Sequence, residues 1–161
     1  MKSRYTILFL EILLLISQSL YGNGLNENSD DMGRIEYYIE QQKVYVKMIL
    51  FDKSNEYGES YLNLLYKRCS TELKVINRIV LRVQTGNYDK SKYLLDKDKS
   101  VLEYLSDIYI YDLETLARLR KIAIFSNDSY LIQIVTQAEQ PLNSIYENLL
   151  YAKQIIYSVD R

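Results

Sequence analysis

Histidine and tryptophan are absent from this 161-residue chain, and cysteine and proline each occur once. Without histidine there is no Ser-His-Asp or Cys-His relay, no imidazole ligand for a metal, and no side chain that ordinarily titrates near neutral pH. Cys69 stands alone, so it can neither close an intrachain disulfide nor open a CxxC site. It falls at an apolar position of a predicted helix and reads as a buried thiol, leaving a hydrophobic core to hold the fold. Only 5 glycines are present, too few for a chain rich in hairpins, which favours long helices. An excess of either charge is also lacking: the net charge is −1, unlike the basic footprint of a nucleic-acid binder. The sequence shows no phosphate loop, metal-binding box or nucleophile elbow, and so implies no cofactor and no metal.

What is present is a hydrophobic content of 48% and 17 tyrosines, enough for a packed domain with an amphipathic surface. The chain opens MKSRYTILFLEILLLISQSLYGNG. Lys2 and Arg4 precede an apolar run from Tyr5 to Ile16, and Ser17-Gln18-Ser19 and Tyr21-Gly22 supply small residues for cleavage. As a helix the run spans about 18 Å, short of the roughly 30 Å of a bilayer's hydrocarbon. Glu11 in its middle weakens a permanent span further. Residues 1–22 (or 1–19) are therefore expected to be a cleaved secretory signal peptide, which sends the protein to the periplasm or cell envelope. The alternative is an uncleaved anchor over residues 5–21, and only then a membrane contact. The polar stretch 23–30 reads as a flexible linker, and residues 31–161 as one helical domain.

Apolar residues then recur at helical spacing. Met32, Ile35, Ile39, Val46 and Ile49 share a face, with Gln42 filling the missing heptad position and Ser29 or Asp30 as the cap. The β-branched stretch KVYVKMILF inside this segment raises a strand alternative, but its polar residues do not alternate. After a break at Asp52–Asn55, Leu62, Leu65, Cys69, Leu73, Ile76, Val80 and Val83 form a second helix, ended by Gly86 in the left-handed conformation. A third runs from Tyr88 to about Ile110 and places Leu94, Val101, Leu102, Leu105 and Ile108 inside. Its Asp96-Lys97-Asp98-Lys99 run reads as a solvated face. Asp112 is expected to cap a fourth helix, and Asp128 a fifth. Carboxylate pairs, Glu36 with Glu40 and Glu56 with Glu59 or Ser60, are the only raw material for acid–base chemistry and fit exposed helix faces.

The last helix carries the strongest pattern. Leu131, Val135, Ala138, Leu142, Ile145, Leu149, Ala152, Ile156 and Val159 step by four and three, with Pro141 inside predicting a kink or short break near Ala138–Gln140. Such a seam serves either as intradomain core or as an oligomer contact. Leu142, Tyr146, Leu149, Tyr151 and Ile156 are the interface candidates.

GNYDKSKYLLDK, from Gly86 to Lys97, is similar to the turn and second-helix start of a tetratricopeptide repeat. The likeness covers about a dozen residues and departs from the motif at Ser91 and Asp98, and the turns have no fixed period. It implies stacked helical hairpins. The expectation is thus an all-α protein of about five helices, in an up-and-down bundle or stacked helical hairpins, with a long kinked C-terminal helix. Its expected role is non-catalytic: an exported interaction or scaffold module, meeting a protein partner or a second copy through the C-terminal heptad helix. The alternative is a membrane-tethered component of a bacterial envelope machine with residues 5–21 as uncleaved anchor, and the third reading is an enzyme of unknown type.

Overall fold

The computed structural model describes residues 27–52, 55–88 and 92–159. The expected signal peptide, and residues 23–26 of the expected linker, lie outside the described residues. The described chain is all-helical, with no strand: α1 Glu27–Asp52, α2 Asn55–Gln84, α3 Lys92–Phe125 and α4 Ser129–Ser158. The stretch KVYVKMILF is helical, within α1. That helix starts at Glu27, upstream of the expected Ser29 or Asp30 cap, so residues 27–30 belong to it and not to a linker.

Among the described residues four helices stand where five were expected, because Asp112 is not a cap. It lies inside α3, buried, and its carboxylate takes a hydrogen bond from the Arg68 guanidinium of α2. A carboxylate paired in this way leaves the backbone on both sides free to stay helical. The true caps sit elsewhere. Asp128 is extended and accepts from the Leu131 N–H at 2.9 Å, the expected start of α4. Gly86, at φ 66°, ends α2 as expected, with Asn87 N–H bonded to the Arg82 carbonyl. Asn127 (φ 53°) plays the same part after α3.

Pro141 does not break α4, which continues through it. Its ring nitrogen has no hydrogen to give the Gln137 carbonyl one turn back. The Tyr66 hydroxyl of α2 donates to that carbonyl instead, at 3.4 Å. A backbone acceptor that the proline leaves unmet is thereby used to join two helices.

Packing runs α1 on α2, α2 on α4 and α4 on α3, while α2 and α3 meet only locally. The ion pair of Asp31 with Arg78 joins the start of α1 to the end of α2, so these helices are antiparallel. Arg120–Glu139 and Glu103–Lys153 set α3 antiparallel to α4. Gly58 and Ile134 lie early in α2 and α4, which run parallel. A Cβ on Gly58 would come within 3.1 Å of Ile134 Cγ1, so the glycine permits this close approach. Ile35, Leu65, Ile76, Leu102, Leu119 and Ile145 are among the fully buried residues of one continuous core.

Candidate functional site

Two features stand apart from this core, and they are opposite in character. The first is a sealed ionic cluster. On α2, Tyr61, Leu65, Arg68 and Glu72 recur at helical spacing on the buried side, so two charged residues occupy core positions. Arg68, Glu72 and Asp112 keep 0%, 1% and 2% of their surface exposed. Arg68 Nη2 donates to Asp112 Oδ2. Its Nε lies 3.1 Å from Glu72 Oε1, an ion-pair contact without hydrogen-bond alignment. Tyr61 Oη, Arg68 Nη1 and both amide atoms of Gln42 are buried with no hydrogen-bond partner among the described residues. Lys43 Nζ of α1 lies 5.9 Å from the centre of the Tyr111 ring of α3.

Burial governs the electrostatics here. It disfavours a charged carboxylate, and although Arg68 pulls the other way, Glu72 is raised to about 7 and Asp112 to about 6. The Cys69 thiol, also buried as expected, is pushed up to about 12 by burial and then by the Glu72 charge. Burial and the nearby Asp112 charge raise Tyr61 as well. Burial opposes the Arg68 cation, but the two carboxylates outweigh it and hold the guanidinium charged. One cation thus faces two acids that cannot both ionise cheaply below pH 7. The chemistry available is proton uptake, in a place no substrate can touch in this conformation.

A smaller cluster lies at the α2–α3 turn. Arg82 Nη1 donates to both oxygens of Asp98, at 2.7 and 2.6 Å, and the Tyr88 hydroxyl donates to Oδ2 at 2.6 Å. Asp98 is buried, which corrects the reading of Asp96–Lys99 as a wholly solvated face. Burial first, and then the bond to Asp98, raises Tyr88.

The second feature is the outer face of α3 and α4. Its ends are closed by ion pairs, Arg120 with Glu139 at one end and Glu103 with Lys153 (2.7 Å) at the other. Tyr157 Oη also donates to Glu103, at 2.7 Å. The bond from Lys153, then that from Tyr157, keeps the Glu103 carboxyl below its ordinary value. Between these ends the face is apolar and open: Ile110, Leu113, Tyr146 and Leu150 are 54%, 46%, 49% and 46% exposed. Tyr109 stacks on Tyr146 with ring centres 5.4 Å apart. A cleft of about 400 Å³ lies at this face, lined by Leu113, Leu116, Ala117 and Leu142 with Arg120, Glu139 and Asn143.

The interface candidates of the heptad helix divide between these environments. Leu142, Leu149 and Ile156 are buried against the other helices, whereas Tyr146 and Tyr151 are exposed. The carboxylate pairs are scattered: Glu36, Glu40, Glu56 and Glu59 are exposed, with Glu40 bound to Lys43 at 2.5 Å. Arg68 and Glu72 escaped the sequence reading and Asp112 was taken for a cap, although each sits in phase with apolar neighbours, the same signal that singled out Gln42. Among the described residues no helix is long and apolar enough to cross a membrane, and no group of acidic or Cys side chains is placed to hold a metal ion. No protein family, curated protein or solved structure matches this chain.

Proposed function

We propose that the protein is a non-catalytic interaction module, exported to the cell envelope and built as two helical hairpins lying side by side. Its working surface is the outer face of α3 and α4. The observation that carries this reading is the contiguous set Ile110, Leu113, Tyr146 and Leu150, about half exposed and flanked by ion pairs. Apolar patches rimmed by charge mark contact surfaces on soluble proteins. The shifted acids, Glu72 and Asp112, support a structural role because they are sealed from solvent. Export is supported by the Lys2/Arg4 start and the short apolar run interrupted by Glu11.

A photo-crosslinking residue at position 113, in the producing cell, should give a discrete protein adduct. The same probe at exposed Lys47 on α1 should not. Equal labelling at both sites, or none, would overturn the reading. Intact mass of the recovered protein tests export separately: a chain shortened by about the first 19–22 residues is expected, and an intact Met1 would favour the tethered alternative.

A further inference from the structure

We infer that the outer face of α3 and α4 is a contact between two copies of this chain, related by a two-fold axis lying in the face. The inference rests on the interaction reading and names its partner. It begins from the order of charges. Along α3 the face carries Glu103 at one end and Arg120 at the other. Along antiparallel α4, Lys153 lies beside Glu103, and Glu139 beside Arg120. These four paired charges therefore alternate like a checkerboard at the corners of the face, with exposed Asp107, Glu114 and Glu147 on the same helices between them.

That pattern is complementary to itself under either in-plane two-fold. With the axis along the helices, α3 of one copy lies over α4 of the other, so Arg120 faces the second copy's glutamate at 139 and Glu103 its lysine at 153. With the axis across the helices, α3 lies over α3, and Arg120 meets the second copy's glutamate at 103. Opposite charges coincide in both cases, and the apolar centre meets its own image. A homodimer contact must be self-complementary in this sense, with one patch serving both sides. An unrelated partner places no such demand on the pattern.

Between the ion pairs, from Glu103 to Arg120, the face is roughly 26 Å long and two helices, ~20 Å, wide. That gives ~500 Å² per copy, below the ~800 Å² that each partner contributes to a standard interface and suited to a dimer of modest affinity. Beyond the Arg120–Glu139 pair, Ile124 and Ile132 continue the apolar surface with 62% and 40% exposure.

Sedimentation velocity of the full chain tests the inference. A dimer with a dissociation constant in the micromolar range is expected. The double variant Leu113→Asp/Leu150→Asp should sediment as a monomer with unchanged helical circular dichroism, and its melting temperature should match the wild type's at a dilution where the wild type is dissociated. Arg120→Glu places like charges together under either axis and should weaken the dimer at least about tenfold, without loss of fold. A wild-type chain that stays monomeric would overturn the inference, and so would variants that remain dimeric. If the wild type is monomeric but position 113 still crosslinks a different protein, the second copy is excluded and the interaction reading stands. Monomer and no crosslink would remove both.

Discussion

The interior between α2 and α3 and the outer face of α3 and α4 exchange their usual contents. Charge is buried in the first, where Arg68, Glu72 and Asp112 are sealed from water. Hydrocarbon is exposed in the second, at Ile110, Leu113, Tyr146 and Leu150. Both departures oppose the simplest rule of folding, but their energetics differ. A buried ion pair recovers its desolvation cost only through the partners it keeps, so losing one partner is severe. An exposed leucine costs the isolated fold little and leaves apolar area that association can remove from water. The inner cluster bears on stability and helix register. The outer face bears on what the protein touches.

The contrast is sharpest in its largest expected effect. Asp112→Ala removes the hydrogen-bonded partner of the buried Arg68 cation, leaving it only the unaligned Glu72 contact, and should destabilise the fold by about 3 kcal/mol, read as a lower urea midpoint at unchanged slope. A loss below about 1 kcal/mol would show the cluster hydrated and the contrast false.

The pH response comes next. Glu72 is held near 7 in the fold against an ordinary 4.5, and Asp112 near 6 against 3.8. Between those limits the native chain retains protons that the unfolded chain has released. Stability should therefore rise as pH falls from about 7.5 toward 5, by roughly 4 kcal/mol, and level off near the unfolded values. Glu72→Gln mimics the protonated acid. It should flatten its part of that slope and stabilise the protein above pH 7, as followed by denaturation midpoints across pH. A wild type whose midpoint drops on mild acidification would reverse the assignment.

The smallest effect belongs to the outer face. Leu113→Ser and Leu150→Ser should each change the stability of the unassociated chain by less than about 0.5 kcal/mol, measured by thermal melts at high dilution. A larger loss would make these residues core, and the two regions would no longer differ.

Much of this was legible in the residues. Helical spacing located the α1–α2 break, Gly86 and Asp128 ended and began helices as their chemistry predicts, and the Leu131–Ile156 heptads pack as core. Apolar spacing is silent on charged side chains that share the same phase. Asp98 was read as part of a solvated face and Asp112 as a cap, and Arg68 and Glu72 were not singled out, because a charge is normally solvated. Their burial depends on partners 16 or 44 residues away, Arg82 with Asp98 and Arg68 with Asp112, and one helix alone cannot reveal such pairs. The short break expected near Ala138–Gln140 does not occur, and the Gln137 carbonyl that Pro141 leaves unmet is bonded by the Tyr66 hydroxyl of another helix, which the sequence of α4 alone cannot reveal.

The parallel seam between α2 and α4 has a kinetic consequence. Arg120 and Glu139 are 19 residues apart along the chain, whereas Tyr66 and Gln137 are separated by 71. Contacts of short separation close early, and distant ones must wait for a longer search. The α3–α4 pair should therefore be ordered before α2 docks on α4. Trimming this seam with Ile134→Val should accelerate unfolding while leaving the refolding rate nearly unchanged, as stopped-flow mixing reads it. Equal changes in both rates would put the seam in the folding nucleus. Gly58, which lets Ile134 approach so closely, then acts at the final step of assembly and governs how long the finished fold lasts more than how quickly it forms.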